Sequence, residues 1–276
     1  MHFSDISSSI YSALSFNFVG VINSILNNIL KNGKILAVAL DHGLTIGPVN
    51  GLTSMNKLVN DVHTNGATAI IIHKGISKIL TSKPKIQQII HLSASTNLSV
   101  FPDDKAIVGT VDNAIQFGAD AVSVHVNIGS SHDHNMLKDL SQIADECYEK
   151  IPLLAMMYPR GENISNEYDP KIIAHVARIG AELGADVVKT LYTGNSETFK
   201  EVIDGCPVPV VIAGGPNTNN DVDILNMVYG AMKAGAAGVS IGRKIFQHTD
   251  PGKITKAMSS IIFENKSVDD AMEILK

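Results

Sequence analysis

The sequence predicts an α/β protein folded as a single (β/α)8 barrel, a TIM barrel, with one extra helix before its first strand. Eight short apolar runs rich in β-branched residues recur along 276 residues. Their starts, near residues 35, 69, 89, 121, 153, 186, 209 and 238, lie 20 to 34 residues apart, enough for a strand, a helix and two loops. No Gly-x-Gly-x-x-Gly follows the first run, which argues against the competing doubly wound sheet.

The elements follow in order. Residues 1–34 form a segment ahead of the barrel, and Phe18 to Lys31 is predicted as an amphipathic helix, because Val19, Ile22, Ile25, Leu26, Ile29 and Leu30 recur at helical spacing before Gly33. From Met1 to Leu30 there is no Lys or Arg, and Asp5 interrupts, so the stretch lacks the pattern of a secretory signal. No stretch reaches the roughly 18 to 20 apolar residues of a membrane span. The barrel occupies residues 35–276, with strands in ILAVALDHG, AIIIHKG, IIHLS, AVSVHVN, LLAMMYP, DVVKT, PVVIAGG and GVSIGR. Most intervals read as helices. In the clearest, Tyr168 to Leu183, Asp169 caps, Pro170 sits in the first turn, Ile172, Ile173, Val176 and Ile179 supply the stripe and Gly184 ends it. The interval before IIHLS is weakest, since Lys83-Pro84-Lys85 leaves little room for a helix. Ser267 to Asp270 predicts a capping box on a last short helix.

Composition narrows the partners. A net charge of −5 without a lysine or arginine run offers no electrostatic ground for nucleic acid or an anionic membrane, leaving small molecules as the expected ligands. Cys147 and Cys206 form neither a metal-type spacing nor a disulfide framework, which suits a reducing cytoplasm.

Barrel enzymes work at the carboxyl ends of their strands, so the polar residues closing each run are the candidates. These are Asp41 and His42, His73 and Lys74, His91, His125 and Asn127, Tyr158 and Arg160, and Lys189. Asp41 shares a strand face with Ala37 and Ala39, while Leu36, Val38 and Leu40 take the other, so Asp41 is expected to point into the mouth. Lys189 carries the sharpest chemistry. Desolvation and nearby cations favour a neutral amine, which attacks a carbonyl to form a Schiff base. On pattern alone the commoner role of a lysine so placed is pairing with an acid such as Asp41 or reaching solvent. Tyr158 and Asp41 are the groups for proton transfer, and His125 is a candidate substrate contact. Gly214 and Gly215 after the seventh strand, with Gly242 and Arg243 after the eighth, predict a phosphate site. A rival reading gathers His73, His91 and His125 around a divalent metal.

The blocks LDHGLTIGPVNGL, IIHKGI, GADAVSVHVNIGS, PLLAMMYPRG, GAELGADVVKT, CPVPVVIAGGP and AGAAGVSIGRKIFQH resemble the archaeal-type class I aldolase family from about residue 35 to the end. That resemblance implies a Schiff base on Lys189, with Tyr158 as proton donor and Asp41 as proton acceptor. It also implies substrate contacts from His42, Gly43, Leu44, Thr45, Pro159, Arg160, Gly214, Gly215, Gly242 and Arg243. The implied reaction is a transaldol transfer of a fragment of a keto-deoxy sugar phosphate to aspartate semialdehyde, without cofactor or metal, in a ring-based homo-oligomer that is often a decamer. Condensation of dihydroxyacetone phosphate with aspartate semialdehyde, fructose-bisphosphate cleavage, and a non-catalytic phosphosugar-binding barrel are the alternatives. Three stretches depart from the family: the one before the first strand lacks its arginine-containing basic residues, ILTSKPKIQQ replaces its glycine-rich loop, and Ala94-Ser95-Thr96 replaces Gly-Gly-Thr.

Overall fold

The computed structural model describes residues 27, 29–80, 86–215 and 220–276. Eight of its strands close a parallel barrel: β1 (Ile35–Ala39), β2 (Ala69–Ile72), β3 (Gln87–His91), β6 (Ala121–Ile128), β7 (Leu153–Pro159), β8 (Val187–Thr190), β9 (Val210–Ala213) and β10 (Gly238–Ile241). Around the ring they stand in the order β1-β10-β9-β8-β7-β6-β3-β2, so neighbours in sequence are neighbours in space and the last strand pairs with the first. Every expected run supplies one barrel strand. Their residues are almost wholly buried, because strands in a parallel barrel are covered on both faces.

Eleven helices are described: α1 (His42–Ile46), α2 (Met55–Thr64), α3 (Lys74–Ile79), α4 (Val111–Gln116), α5 (Asp133–Cys147), α6 (Pro170–Glu182), α7 (Ser196–Gly205), α8 (Asp221–Ala234), α9 (Arg243–Phe246), α10 (Pro251–Glu264) and α11 (Val268–Leu275). The predicted cap of α6 is present, the Asp169 carboxylate accepting from the Lys171 and Ile172 amides, and Ile173, Val176 and Ala177 are buried. Ser267 and Asp270 form the expected box at the start of α11. Among the described residues, the weak interval ahead of β3 holds the six-residue α3, and residues 81–85 lie outside them.

The amino ends of the strands are tied by a recurring device. Just before β2, β6 and β8 stand Thr68, Asp120 and Asp186, each of which accepts a hydrogen bond from a backbone amide of the preceding barrel strand: Leu36, Gln88 and Leu153, at 3.0, 2.8 and 2.7 Å. Such bonds satisfy amides at strand starts that lack a ladder partner.

Two features differ from expectation. Of the helix predicted over Phe18 to Lys31, residues 18–26 and 28 lie outside the described residues. Ile29 and Leu30 are buried in a turn, and Lys31 bridges to Lys34, so the helical periodicity does not carry through to Lys31. The run IIHLS also yields more than one strand. After His91 the chain leaves the barrel as β4 (Ser93–Ala94), which pairs antiparallel with β5 (Ala106–Ile107). This hairpin and its loop cover the β2, β3 and β6 side of the mouth, where Asn127 Nδ2 donates to the Asp103 carbonyl at 2.6 Å and Lys74 Nζ to that of Val108.

Candidate active site

The rest of the mouth is an open cavity of about 630 Å³ over an unbroken arc of five strands, β7, β8, β9, β10 and β1. Lys189 is at its base. It pairs in register with Met156 of β7 and Val211 of β9, and its Nζ lies 3.9 Å from the Met156 sulfur. The side chain is 6 % exposed yet borders the cavity. Residues two apart on a strand share a face, so Tyr158 stands above Met156 on the same side of the barrel, one strand over from the amine. Tyr158 is also buried at the cavity wall, its ring held edge-on to His125 with centroids 5.0 Å apart and covered by the Arg160 guanidinium at 5.8 Å.

Asp41 lies just beyond β1 rather than on the cavity wall. Its carboxylate oxygens stand 3.3 Å from His42 Nδ1 and 3.9 Å from His91 Nε2. Burial works against its charge, but the contact with His42 and, at the low pH where the carboxyl titrates, the positive charge of His91, His42 and Lys189 outweigh it and hold the carboxyl well below the usual carboxylate range. Asp41 therefore stays ionised. Asp41 Oδ1 and His42 Nδ1 are both buried without a well-formed hydrogen bond, so the 3.3 Å approach is an electrostatic contact with poor alignment.

The three strand-end histidines are committed to protein partners. His91 Nδ1 meets Ser123 Oγ at 2.8 Å, His125 Nε2 meets Asn127 Oδ1 at 2.9 Å, and His73 Nδ1 meets the His91 carbonyl at 3.2 Å. Burial lowers the pKa of His91 to about 4, partly offset by Asp41, and drives that of His125 well below the ordinary range. Both rings are neutral at pH 7. Among the described residues no group of three or more His, Cys, Asp or Glu side chains is arranged to hold a metal.

On the other side of Lys189 the glycine loops meet the cavity. Gly214, Gly215, Gly242 and Arg243 all line it, as do His42 and Ala39 from the β1 end. A side chain at Gly242 would run into the His42 ring and the Ala39 carbonyl, so only glycine allows the backbone this course.

Of the residues singled out in the sequence, Lys189, Tyr158, Arg160, His42, Gly214, Gly215, Gly242 and Arg243 come together around one cavity. Asp41 and His125 lie behind its wall, beside His42 and Tyr158 respectively. Gly43, Leu44, Thr45 and Pro159 do not line it: the first three follow His42 on α1, where the Thr45 carbonyl accepts from the Asn97 amide, and Pro159 takes the opposite strand face from Tyr158. Ser240, Glu167, Tyr168, Asp221 and His248 line the cavity without having been singled out. Ser240 was within reach of the two-residue strand period that also places Gly242, whereas Glu167 sits in an irregular loop with no such signal.

A (β/α)8 barrel with an amine at the base of its mouth and glycine loops after its last two strands is an enzyme scaffold of the aldolase type. The chain belongs to the DeoC/LacD family of aldolases, which it matches over residues 35–248. It is 39 % identical over 249 residues, covering 90 % of this chain and 93 % of the other, to the 2-amino-3,7-dideoxy-D-threo-hept-6-ulosonate synthase of Halobacterium salinarum. It is equally 39 % identical over 232 residues, 83 % of this chain and 85 % of the other, to the 2-amino-4,5-dihydroxy-6-oxo-7-(phosphonooxy)heptanoate synthase of Streptomyces griseus. Among solved structures, a Schiff base forming fructose-1,6-bisphosphate aldolase superposes with a TM-score of 0.80 at 29 % identity, over 88 % of this chain and 100 % of that one. Among the described residues no helix is long and apolar enough to cross a membrane.

Proposed function

We propose that the protein is a lysine Schiff-base transaldolase that makes 2-amino-3,7-dideoxy-D-threo-hept-6-ulosonate from a keto-deoxy sugar phosphate and L-aspartate semialdehyde. The observation that carries this reading is the buried amine of Lys189 at the cavity base, one strand from Tyr158 and within the field of ionised Asp41. Lys189 Nζ attacks the donor's ketone carbon, and loss of water leaves an iminium. The bond between the adjacent carbon and the next breaks, its electron pair moving into the iminium to give an enamine. The β-hydroxyl gives up its proton to the site's acceptor, Asp41, and the fragment leaves as an aldehyde. The enamine carbon then attacks the acceptor aldehyde, the new alkoxide takes a proton from Tyr158, the proton taken up by Asp41 returns through solvent to the phenolate, and water hydrolyses the restored iminium to free Lys189. The ionised carboxylate of Asp41 also offsets the iminium charge.

The names of both relatives place a carbonyl at C6, so an imine at C6 puts the nucleophile at C5 and the new bond between C4 and C5. The acceptor then supplies C1 to C4. The phosphate loops and the equal likeness to the phosphonooxy synthase support a second reading, in which dihydroxyacetone phosphate is the donor. In either case residues 1–34 precede the catalytic barrel, and a cytoplasmic homo-oligomer is the expected form.

Lys189→Arg keeps the charge and loses the neutral amine, so turnover is expected to vanish. Tyr158→Phe is expected to lower kcat by about 10²- to 10⁴-fold, the range of a lost general acid. Product mass, read with each donor offered separately, ranks the two donors. Wild-type turnover by Lys189→Arg would rule out the imine.

A further inference from the structure

Among the described residues, two buried hydroxyls lack a hydrogen-bond partner, those of Thr190 and Ser240. A buried polar group left unpaired costs more than a hydrogen bond contributes, so each calls for a partner that the folded chain does not supply. The two lie on opposite strand faces. Thr190 follows Lys189 and so faces away from the barrel interior, whereas Ser240, 1 % exposed, lines the cavity.

The register fixes where Ser240 stands relative to the amine. Traced from Ile35 through Gly238, Val211, Lys189, Met156 and His125, and on through β3 and β2, the pairing climbs and returns to β1 further toward the mouth. This is the shear that closes a TIM barrel, about one residue per strand. The trace meets β10 at Gly238 and β8, two strands on, at Lys189, which therefore stands level with Ser240, two residues above Gly238 on its own strand. Each layer of such a barrel takes four inward side chains from alternate strands, here Ile71, Ser123, Lys189 and Ser240, all buried. The Ser123 hydroxyl is committed to His91. Above Ser240 the neighbouring strands offer only Ala39 and Ala213, which leave its hydroxyl open to the cavity.

We propose that Ser240 Oγ binds the hydroxyl that the retained ketone fragment carries next to its imine carbon, and so selects 2-hydroxy ketones as donors. This rests on the imine reading of Lys189. Neighbouring strands are about 4.8 Å apart, which separates β8 from β10 by roughly 10 Å, room for the lysine side chain and a three-carbon fragment. In the proposed 3,7-dideoxy product C7 carries no oxygen, so the fragment C5 to C7, joined to Lys189 at C6, has one polar group of its own, the hydroxyl on C5. The name of the phosphonooxy relative puts a hydroxyl on the same carbon, so the assignment serves either donor. A serine hydroxyl both donates and accepts, and pairs with that hydroxyl where water is displaced. A ketone without it leaves Ser240 unpaired, which is how a buried polar group rejects an analogue lacking its partner.

The test measures the concentrations of hydroxyacetone and of acetone that half-saturate borohydride trapping on Lys189. Hydroxyacetone is the fragment retained from the keto-deoxy donor, and acetone lacks only its hydroxyl. Ser240→Ala is expected to raise the hydroxyacetone concentration roughly tenfold, the scale of one lost buried hydrogen bond, and to leave that of acetone within about twofold. Thr190→Val, which removes the unpaired hydroxyl on the other strand face, is expected to leave the ratio of the two ketones at its wild-type value. Equal shifts for both ketones in Ser240→Ala, or no shift for hydroxyacetone, would overturn the proposal. So would a wild type that traps the sugar phosphate or dihydroxyacetone phosphate but neither small ketone, whereas no adduct with any of these would sink the imine reading as well.

Discussion

Asp41 and His91 stand 3.9 Å apart behind the cavity wall, and their protonation ties stability to pH. The His91 ring faces Asp41, His73, Lys189 and Ser123. Its pKa is lowered by burial to about 4, against 6.5 for a free histidine. Its contribution is therefore complete above pH 6.5 and lost progressively as pH falls from 6.5 toward 4, because the unfolded chain binds the proton first. A tenfold change in proton affinity is worth about 1.4 kcal/mol, so the effect is measurable in a single variant. Asp41, held below the ordinary carboxylate range, adds a further loss below about pH 4. The urea midpoint of wild type is expected to fall between pH 6.5 and 4.5. His91→Gln is expected to show a shallower fall, His125 contributing the remainder, and an unchanged slope would contradict the assignment. Lys189, Tyr158 and Asp41 were legible in the sequence because each closes an apolar run. The tight ring contacts that orient Tyr158 and His42, to His125 and Phe246, join residues far apart in sequence and left no local trace.

Elements were legible where a short-range rule applied. The barrel strands show as β-branched runs and α6 as a stripe with an Asp-Pro start, because period and capping depend only on nearby residues. Asp169→Ala removes the acceptor for two amides at the start of α6 and is expected to cost about 1 kcal/mol in urea unfolding, with kcat unchanged. A loss of catalysis instead would mean that the loop carrying Arg160 depends on this cap. The β4-β5 hairpin was hidden, since each strand has only two residues and its pairing spans a loop without a turn signature. The loop carrying Glu167 was hidden for the same reason: its path depends on packing of Gly161 against Gly129, not on periodicity. The departures from the family pattern around residues 94–96 fall at this hairpin, on the closed side of the mouth, leaving the glycine loops after β9 and β10 on the open side.

Across the barrel, a regular eightfold spacing made closure readable, and closure in turn dictates which strand ends meet. Lys189 stands on the second strand of the arc, with glycine loops and Arg243 on its β9 and β10 side and a paired cation and carboxylate on its β7 side. The proposed reaction turns on Lys189 as the amine that bonds to the donor. Intact-mass spectrometry after borohydride reduction, with the keto-deoxy sugar phosphate or dihydroxyacetone phosphate offered alone and the adduct located by peptide mapping, reads that bond itself. A single adduct of the retained ketone fragment on Lys189, absent in Lys189→Arg, is the predicted result. Turnover without any adduct, or an adduct mapped to another lysine, would contradict it.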